Sequence, residues 1–280
     1  MKKIILLFCL IFIITFTSAC SGLDKYKVDM GIKNKDFEYI NQGNITKVIV
    51  KGIRDKGFKF TVTDEKAIKD IYDILSTGKP VTEKSLLQPD YTFELYTQDN
   101  VVYKFSYVAG LDKKDLGNFY SDNKIYIVSK RIDTDLISNF WDIRSPQNFQ
   151  YVYYKSIIAA LDSYRKSVNK TDLIGIDINN DVDVAKFILS VDLEDFTNTL
   201  NSKAYNAEIL KTENASYGVV MNIKTEGYKS DKTNNTGVYK CTVTFDNKKE
   251  NSSKVYYIYD KYKDNLWDIQ VYTGNKPEGY

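Results

Sequence analysis

The last quarter of the chain restricts its fold most, because apolar and polar residues alternate there in several short stretches. A period of two places the apolar side chains on one face of a β-strand. Polar turns rich in Lys, Asn and Ser separate the stretches, which predicts an antiparallel meander. The predicted strands are Tyr205–Leu210, Gly218–Thr225, Val238–Phe245, Lys254–Tyr259 and Leu266–Tyr272.

Helical patterns precede these strands. Tyr151–Val168 carries apolar residues at helical spacing, an Asp/Asn-rich loop follows, and Val184–Leu200 predicts one broken helix or two short ones. Helices across a curled meander, with Trp267 in the terminal strand, resemble the cone-shaped fold of the nuclear transport factor 2-like (cystatin-like) superfamily. The resemblance covers about the last 130 residues and implies a scaffold that enzymes, ligand-binding proteins and assembly domains share, and no catalytic residue carries over.

An earlier segment predicts a second, separate α+β domain. Its clearest helix begins at Asp64, carries a stripe of isoleucines and ends at Gly78, which Pro80 follows. The Ser145-Pro146 step marks a boundary between two patterns. The predicted fold class is therefore α+β, with two small domains at 45–144 and 145–280, each a mainly antiparallel sheet covered by helices. The other elements predicted in the first domain are strands Thr46–Val50 and Phe58–Thr63, hairpin strands Tyr91–Tyr96 and Val101–Val108, strand Lys124–Val128 and a closing helix Asp133–Trp141.

The N-terminus has the pattern of a targeting signal. Lys2 and Lys3 precede an apolar run, Ile4–Ile14, which is shorter than the ~20 residues that a membrane-spanning helix needs. Thr17-Ser18-Ala19-Cys20 then resembles the lipobox of bacterial lipoproteins. The resemblance implies cleavage between Ala19 and Cys20, so that residues 1–19 are a signal peptide and Cys20 receives a diacylglyceryl group.

Lipidation of Cys20 implies a durable membrane anchor through acyl chains such as palmitate, with 20–44 as the lipidated N-terminus and a flexible tether. The predicted location is the outer face of the cytoplasmic membrane of a Gram-positive bacterium. The alternative is ordinary secretion, which leaves a free thiol at Cys20.

Composition excludes several classes of function. The sequence contains no histidine, which removes His-based nucleophile pairs, His general bases and His-ligated zinc. Without Lys2 and Lys3, the 39 basic residues become 37 against 37 acidic ones, so the charge pattern does not favour nucleic acid as a partner. We find no cofactor motif, and the sequence favours a protein that is not an enzyme.

Three cysteines occur, at Cys9, Cys20 and Cys241, so a lipidated mature chain has no disulfide. Cys241 lies in a period-2 pattern and is expected to be a small buried strand residue.

Two acidic stretches resemble functional motifs without completing them. Asp177–Asp183 spaces its oxygens as a Ca²⁺ loop does, but Val182 and Ile188 stand where an EF-hand needs Gly and Glu. We therefore expect no metal and a solvated loop whose last Asp caps the next helix. Asp192, Glu194 and Asp195 are explained by the dipole of the helix that they open rather than by a catalytic carboxylate pair.

Tyrosine is abundant, with 23 residues, and it forms two clusters: Tyr151, Tyr153 and Tyr154, and Tyr256, Tyr257, Tyr259 and Tyr262. These clusters invite a stacking or partner-binding interpretation, although tyrosine also suits strand surfaces. The candidate ligand or partner residues are Tyr257, Tyr259 and Trp267. The sequence thus predicts a membrane-anchored lipoprotein that binds or assembles another envelope protein. The alternative is a small-molecule or glycan binder that uses a concave sheet pocket.

Overall fold

The computed structural model describes residues 32–110, 115–129, 132–137, 145–168, 172–203, 205–210, 217–231 and 233–280. They form two compact units, each containing a sheet and helices, which confirms the predicted α+β class. Among the described residues, no helix combines the length and the apolar character that crossing a membrane requires. The first unit contains residues up to 50, 60–86 and 92–132, and the second contains 51–59, 87–91 and 133–280.

Most of the first sheet lies in the first unit. Within the described residues it has seven strands, in the order β2-β1-β4-β5-β6-β7-β3. A π-helical turn, Ile132–Ile137, stands where the sequence predicts the closing helix, whose end lies outside the described residues. The strands are β1 (Ile45–Gly52), β2 (Lys59–Val62), β3 (Lys79–Pro80), β4 (Tyr91–Thr97), β5 (Val102–Tyr107), β6 (Phe119–Tyr120) and β7 (Ile125–Ile127).

Two helices accompany this sheet, α1 (Glu38–Asn41) and α2 (Glu65–Leu75). Asp64 caps α2 as predicted, because its Oδ1 accepts the Ala67 N–H at 2.9 Å. Residues at helical spacing on one face of α2 are buried, which accounts for its stability next to the sheet. They are Ile68, Ile71, Tyr72, Ile74 and Leu75.

The folded part begins before residue 45, so the predicted tether is too long at its C-terminal end. Phe37 is buried, and its ring centroid lies 4.8 Å from that of Tyr126. Lys33 pairs with Asp73 at 2.7 Å, and Ile40 in α1 is also buried. A segment with few but well-spaced apolar residues therefore packs, although its overall composition is polar.

The second sheet belongs to the second unit and contains the predicted meander. Strands β10 to β13 pair antiparallel in chain order, and β14 pairs with β12. Its helices are α3 (Phe149–Ser167), a 3₁₀ turn (Ala185–Phe187) and α4 (Ser190–Ser202). The strands are β8 (Ile174–Asp177), β9 (Ala207–Ile209), β10 (Val219–Asp231), β11 (Thr236–Asn247), β12 (Ser252–Lys263), β13 (Leu266–Asp268) and β14 (Val271–Thr273).

The sequence prediction is wrong at one edge of this sheet. Ile174–Asp177 is not a loop but β8, which pairs in parallel with both β10 and β9. The Asp and Asn residues around this strand made the stretch look like a loop. Apolar residues nevertheless alternate within it, and Ile174, Ile176 and Ile178 are buried. The strand predicted at 205–210 therefore lies beside β8 and does not open the meander.

One face of the meander and one face of α3 form the core of the second unit. Tyr164 stacks on Phe245 with ring centroids 4.1 Å apart. Cys241 is 1% exposed in β11, so its predicted role as a small buried residue is confirmed. Burial raises the pKa of its thiol well above the usual value, which disfavours the reactive thiolate.

Gly175 provides a test of the parallel edge. A Cβ at this position would lie 2.7 Å from the Tyr217 ring, whereas at Gly218 it would meet Asp172 at an ordinary 3.4 Å. We expect Gly175→Ala to lower the free energy of unfolding by about 1–3 kcal/mol through overpacking, and Gly218→Ala to change it much less. Urea denaturation measures both, and equal effects would contradict the packing of Tyr217 over β8.

Candidate functional site

An open groove of about 280 Å³ runs between α3 and α4 in the second unit. Residues three, four and seven positions apart on each helix face the same side, so each helix contributes one stripe of side chains to the groove. From α3 the lining residues are Gln150, Tyr151, Tyr154, Lys155 and Ile158, and from α4 they are Asp192, Asp195, Phe196 and Thr199.

Aromatic and aliphatic side chains line the groove. Tyr154 and Phe196 are buried and stack with ring centroids 4.9 Å apart, and Ile158 is 8% exposed beside them. Tyr151 is 49% exposed, and the Lys155 ammonium lies 5.7 Å from its ring centroid. The groove therefore offers an apolar surface with one accessible ring to a binding partner.

The position of α4 depends on a buried polar network within the second unit. Arg54 donates to the Asp90 carboxylate at 2.5 Å and to Ser190 Oγ at 2.6 Å. The Ser190 backbone N–H donates to the same Asp90 oxygen at 2.9 Å, and its hydroxyl donates to the Gln88 carbonyl at 2.7 Å. A negative carboxylate thus satisfies an N–H at the start of α4, where the helix dipole favours it.

Among the described residues, two polar atoms in the groove have no hydrogen-bond partner. Asp192 Oδ2 and the Tyr154 hydroxyl are buried without a hydrogen-bond partner among the described residues. The pKa of Asp192 is raised to about 6, chiefly by burial. A hydrogen bond from Gln150 lowers this pKa, and the charges of Asp90 and Asp195 raise it. The groove therefore holds a carboxylate that neither solvent nor protein fully stabilises.

A second polar cluster corrects the prediction for 177–183. Asp181 is buried, and its carboxylate accepts the Thr225 N–H at 3.0 Å and the Thr225 hydroxyl at 2.8 Å. Asp177 is also buried and bonds Asn180. Only part of the stretch is therefore solvated as predicted, namely the exposed residues Asn179, Asn180, Val182 and Asp183. Asp183 does not cap the 3₁₀ turn, which has no side-chain cap. Across the described residues, no group of three or more acidic or Cys side chains is placed to hold a metal ion.

Asp260 is a buried carboxyl, and its burial favours the protonated form. Ser156 Oγ lies 2.5 Å from the Val152 carbonyl and 2.6 Å from Asp260 Oδ2. The Ser156 hydroxyl is the donor in both contacts, so its single proton serves two acceptors. Burial accordingly raises the pKa of Asp260 to about 7, although hydrogen bonds from Ser156 and the Gln270 N–H act against this.

The three predicted ligand residues do not form one site. Trp267 is buried on the inner face of the sheet, where its indole N–H donates to the Gln147 carbonyl at 2.7 Å. Tyr257 and Tyr259 point to the opposite face, where the Tyr280 ring lies 5.6 and 6.4 Å from theirs. The predicted cleavage and lipidation residues, Ala19 and Cys20, lie outside the described residues.

Sequence reasoning missed the groove. From the sequence, the charges of Asp192 and Asp195 are explained by the N-terminus of their helix. Tyr151 and Tyr154 are noted only as members of a tyrosine-rich stretch. Helical spacing does place each pair on one face of its helix. Which faces of two helices meet is decided by tertiary contacts, and local spacing carries no signal for that.

The structure defines the fold class, and a comparison with known proteins finds one matching family model. The fold is that of an α+β protein with two sheets, and residues 41–146 match the model of the YhfM protein family. No curated protein and no solved structure matches the chain. The matched residues contain all strands of the first sheet together with Arg54 and Asp90, and the groove lies outside them.

Asp260 predicts a pH dependence of stability. Its pKa is raised to about 7 in the folded state, above the usual value of 3.8, so the folded state keeps a proton that the unfolded state loses. Between about pH 4 and 7, raising the pH therefore lowers the free energy of unfolding, by about 4 kcal/mol for this group.

We expect Asp260→Asn to remove that part of the pH dependence, because an amide can donate to Ser156 and accept from Gln270. Urea denaturation between pH 4.5 and 7.5 checks this, with the exposed Asp122→Asn as control. Parallel pH profiles for the Asp260 variant and the unaltered protein would contradict the assignment.

Proposed function

We propose that this protein is a lipoprotein held on the outer face of the cell membrane, where it binds another protein of the cell envelope and catalyses no reaction. The signal pattern over residues 1–20 supports the anchor, since it combines a basic start, a short apolar run and a Cys after small residues. Two acyl chains on Cys20 would hold the chain to the bilayer without a membrane-spanning helix.

The groove between α3 and α4 is the contact surface in this proposal, and it is the observation that carries the binding role. It combines the exposed Tyr151 ring with buried rings and with buried polar atoms that have no partner in the described chain. Exposed aromatic residues next to a desolvated floor are typical of the central contacts of protein interfaces.

A small-molecule or glycan binder is the second candidate, and the structure favours it less. It requires a hollow on the inner face of the sheet, but in the described chain α3 packs there against Phe245 and Trp267 bonds Gln147. The groove is also slightly smaller than the ~300–1,000 Å³ of sites for drug-sized ligands.

The anchor is tested by Cys20→Ala in the full chain. We expect the variant to move from the membrane fraction to the soluble fraction, because no lipid can then be attached. Membrane fractionation with immunodetection measures the distribution, and mass spectrometry of the unaltered protein detects the lipid on its N-terminal Cys. A variant that stays in the membrane fraction would contradict lipid anchoring.

The contact surface is tested by photocrosslinking in intact cells. We expect p-benzoylphenylalanine at Tyr151 to capture one reproducible envelope protein, and the same probe at Tyr103, which is 40% exposed in β5, not to capture it. Thr199→Trp, which fills the groove, should abolish capture, whereas Asn198→Trp on the exposed side of α4 should preserve it.

Capture that Thr199→Trp leaves unchanged would show that the groove is not the contact surface. Absence of any crosslink at Tyr151 would contradict the binding role assigned to the groove.

A further inference from the structure

The orphaned polar atoms of the groove indicate what it binds. Tyr154 is 8% exposed, and its hydroxyl has no hydrogen-bond partner among the described residues. Asp192 Oδ2 is buried in the same groove and also has no hydrogen-bond partner in the described chain. Most buried polar atoms in proteins are paired, so two unpaired oxygens that line one groove point to a missing donor.

The helix dipole alone does not explain Asp192. A carboxylate that serves the first turn of a helix gains from the dipole while it remains hydrated or accepts backbone N–H groups. Asp192 instead has one buried oxygen without a partner within the described residues, and Asp90 already accepts the Ser190 N–H. Asp192 Oδ2 therefore lines the groove as an acceptor that no donor in the described part of the chain satisfies.

Carboxyl groups outnumber ammonium groups in the groove lining, which contains Asp192, Asp195 and Lys155. Asp195 lines the groove on α4, and Asp90 lies close enough to raise the pKa of Asp192. Arg54 makes its ion pair with Asp90, and Lys155 lies at the Tyr151 ring, 5.7 Å from its centroid. A cation entering the groove would find a carboxylate to pair with and a hydroxyl oxygen to accept a second N–H.

The rest of the groove suits the stem of a basic side chain. Tyr151, Ile158 and Phe196 supply ring faces and an aliphatic side chain, along which the methylenes of Lys or Arg can pack. Ring faces also attract the ammonium or guanidinium group. A volume of about 280 Å³ accommodates one such side chain and leaves little room for a larger ligand.

We propose that the groove between α3 and α4 binds a Lys or Arg side chain of the partner protein, with its cationic end paired to Asp192 and its stem against Tyr151 and Ile158. This inference rests on the proposed function and specifies the chemistry of the partner. Tyr154 accepts a hydrogen bond from the same cation.

The test measures binding of blocked amino acids to the full-length protein in detergent by ligand-observed saturation-transfer NMR. The basic probes are N-acetyl-arginine methylamide and N-acetyl-lysine methylamide, and N-acetyl-norleucine methylamide is the neutral probe of similar length. We expect at least one basic probe to bind about tenfold more tightly than the neutral one at pH 7. Asp192→Asn should abolish this preference, and Glu194→Gln, which removes a charge from α4 outside the groove lining, should retain it.

The preference should also depend on pH. The groups around Asp192 are Gln150, Tyr154 and Lys155 from α3, Asp195 from α4, and Asp90 with its partner Arg54. With its pKa at about 6, the ionised fraction of Asp192 rises about tenfold between pH 5 and 7, and the preference should rise with it. In Asp192→Asn the basic and neutral probes should bind alike at every pH in this range.

The outcomes separate this inference from the proposed function. Equal binding of basic and neutral probes to the unaltered protein, or a preference that survives Asp192→Asn, would overturn the inference. If the Tyr151 crosslink nevertheless formed, the binding role would stand. A preference that Asp192→Asn abolishes, without any Tyr151 crosslink, would keep the cation site and overturn the partner protein as its source.

Discussion

The second unit depends on one buried ion pair, Arg54 with Asp90, and on its bonds to Ser190. Both members lie more than 90 residues before α4 in the chain, yet Asp90 accepts the N–H of its first residue, Ser190, and Arg54 donates to the Ser190 hydroxyl oxygen, which fixes where the helix begins. Removing one partner would leave a charge buried without compensation, which is among the costliest changes a protein core can suffer. The pair therefore also fixes the α4 side of the groove.

The second unit uses α3 in two ways. Its inner face carries Tyr164 into the core and brings Ser156 to Asp260, while its other face lines the groove with Tyr151 and Tyr154. The inner face is closed by core side chains, whereas the groove side is open to a partner and carries the Tyr154 hydroxyl, which has no hydrogen bond among the described residues. A rigid core on one side thus holds a binding surface on the other at fixed geometry.

Sequence reasoning succeeds where the signals are local. Asp64, the spaced isoleucines of α2 and the polar turns of the meander each lie within a few residues of the element that they define. It fails at β8, whose parallel partners β9 and β10 lie about 30 and 45 residues away and whose Gly175 is explained only by Tyr217. It also fails for the groove, because the facing of α3 and α4 depends on contacts between residues 54, 90 and 190.

The chain passes between the two units several times, since 51–59 and 87–91 belong with 133–280 while 60–86 does not. Neither unit is therefore formed by one continuous stretch of the chain. A recombination event that transferred 145–280 alone would leave Arg54 and Asp90 behind and deprive Ser190 of its partners. A transplanted second unit keeps these contacts only when residues 51–59 and 87–91 accompany 133–280.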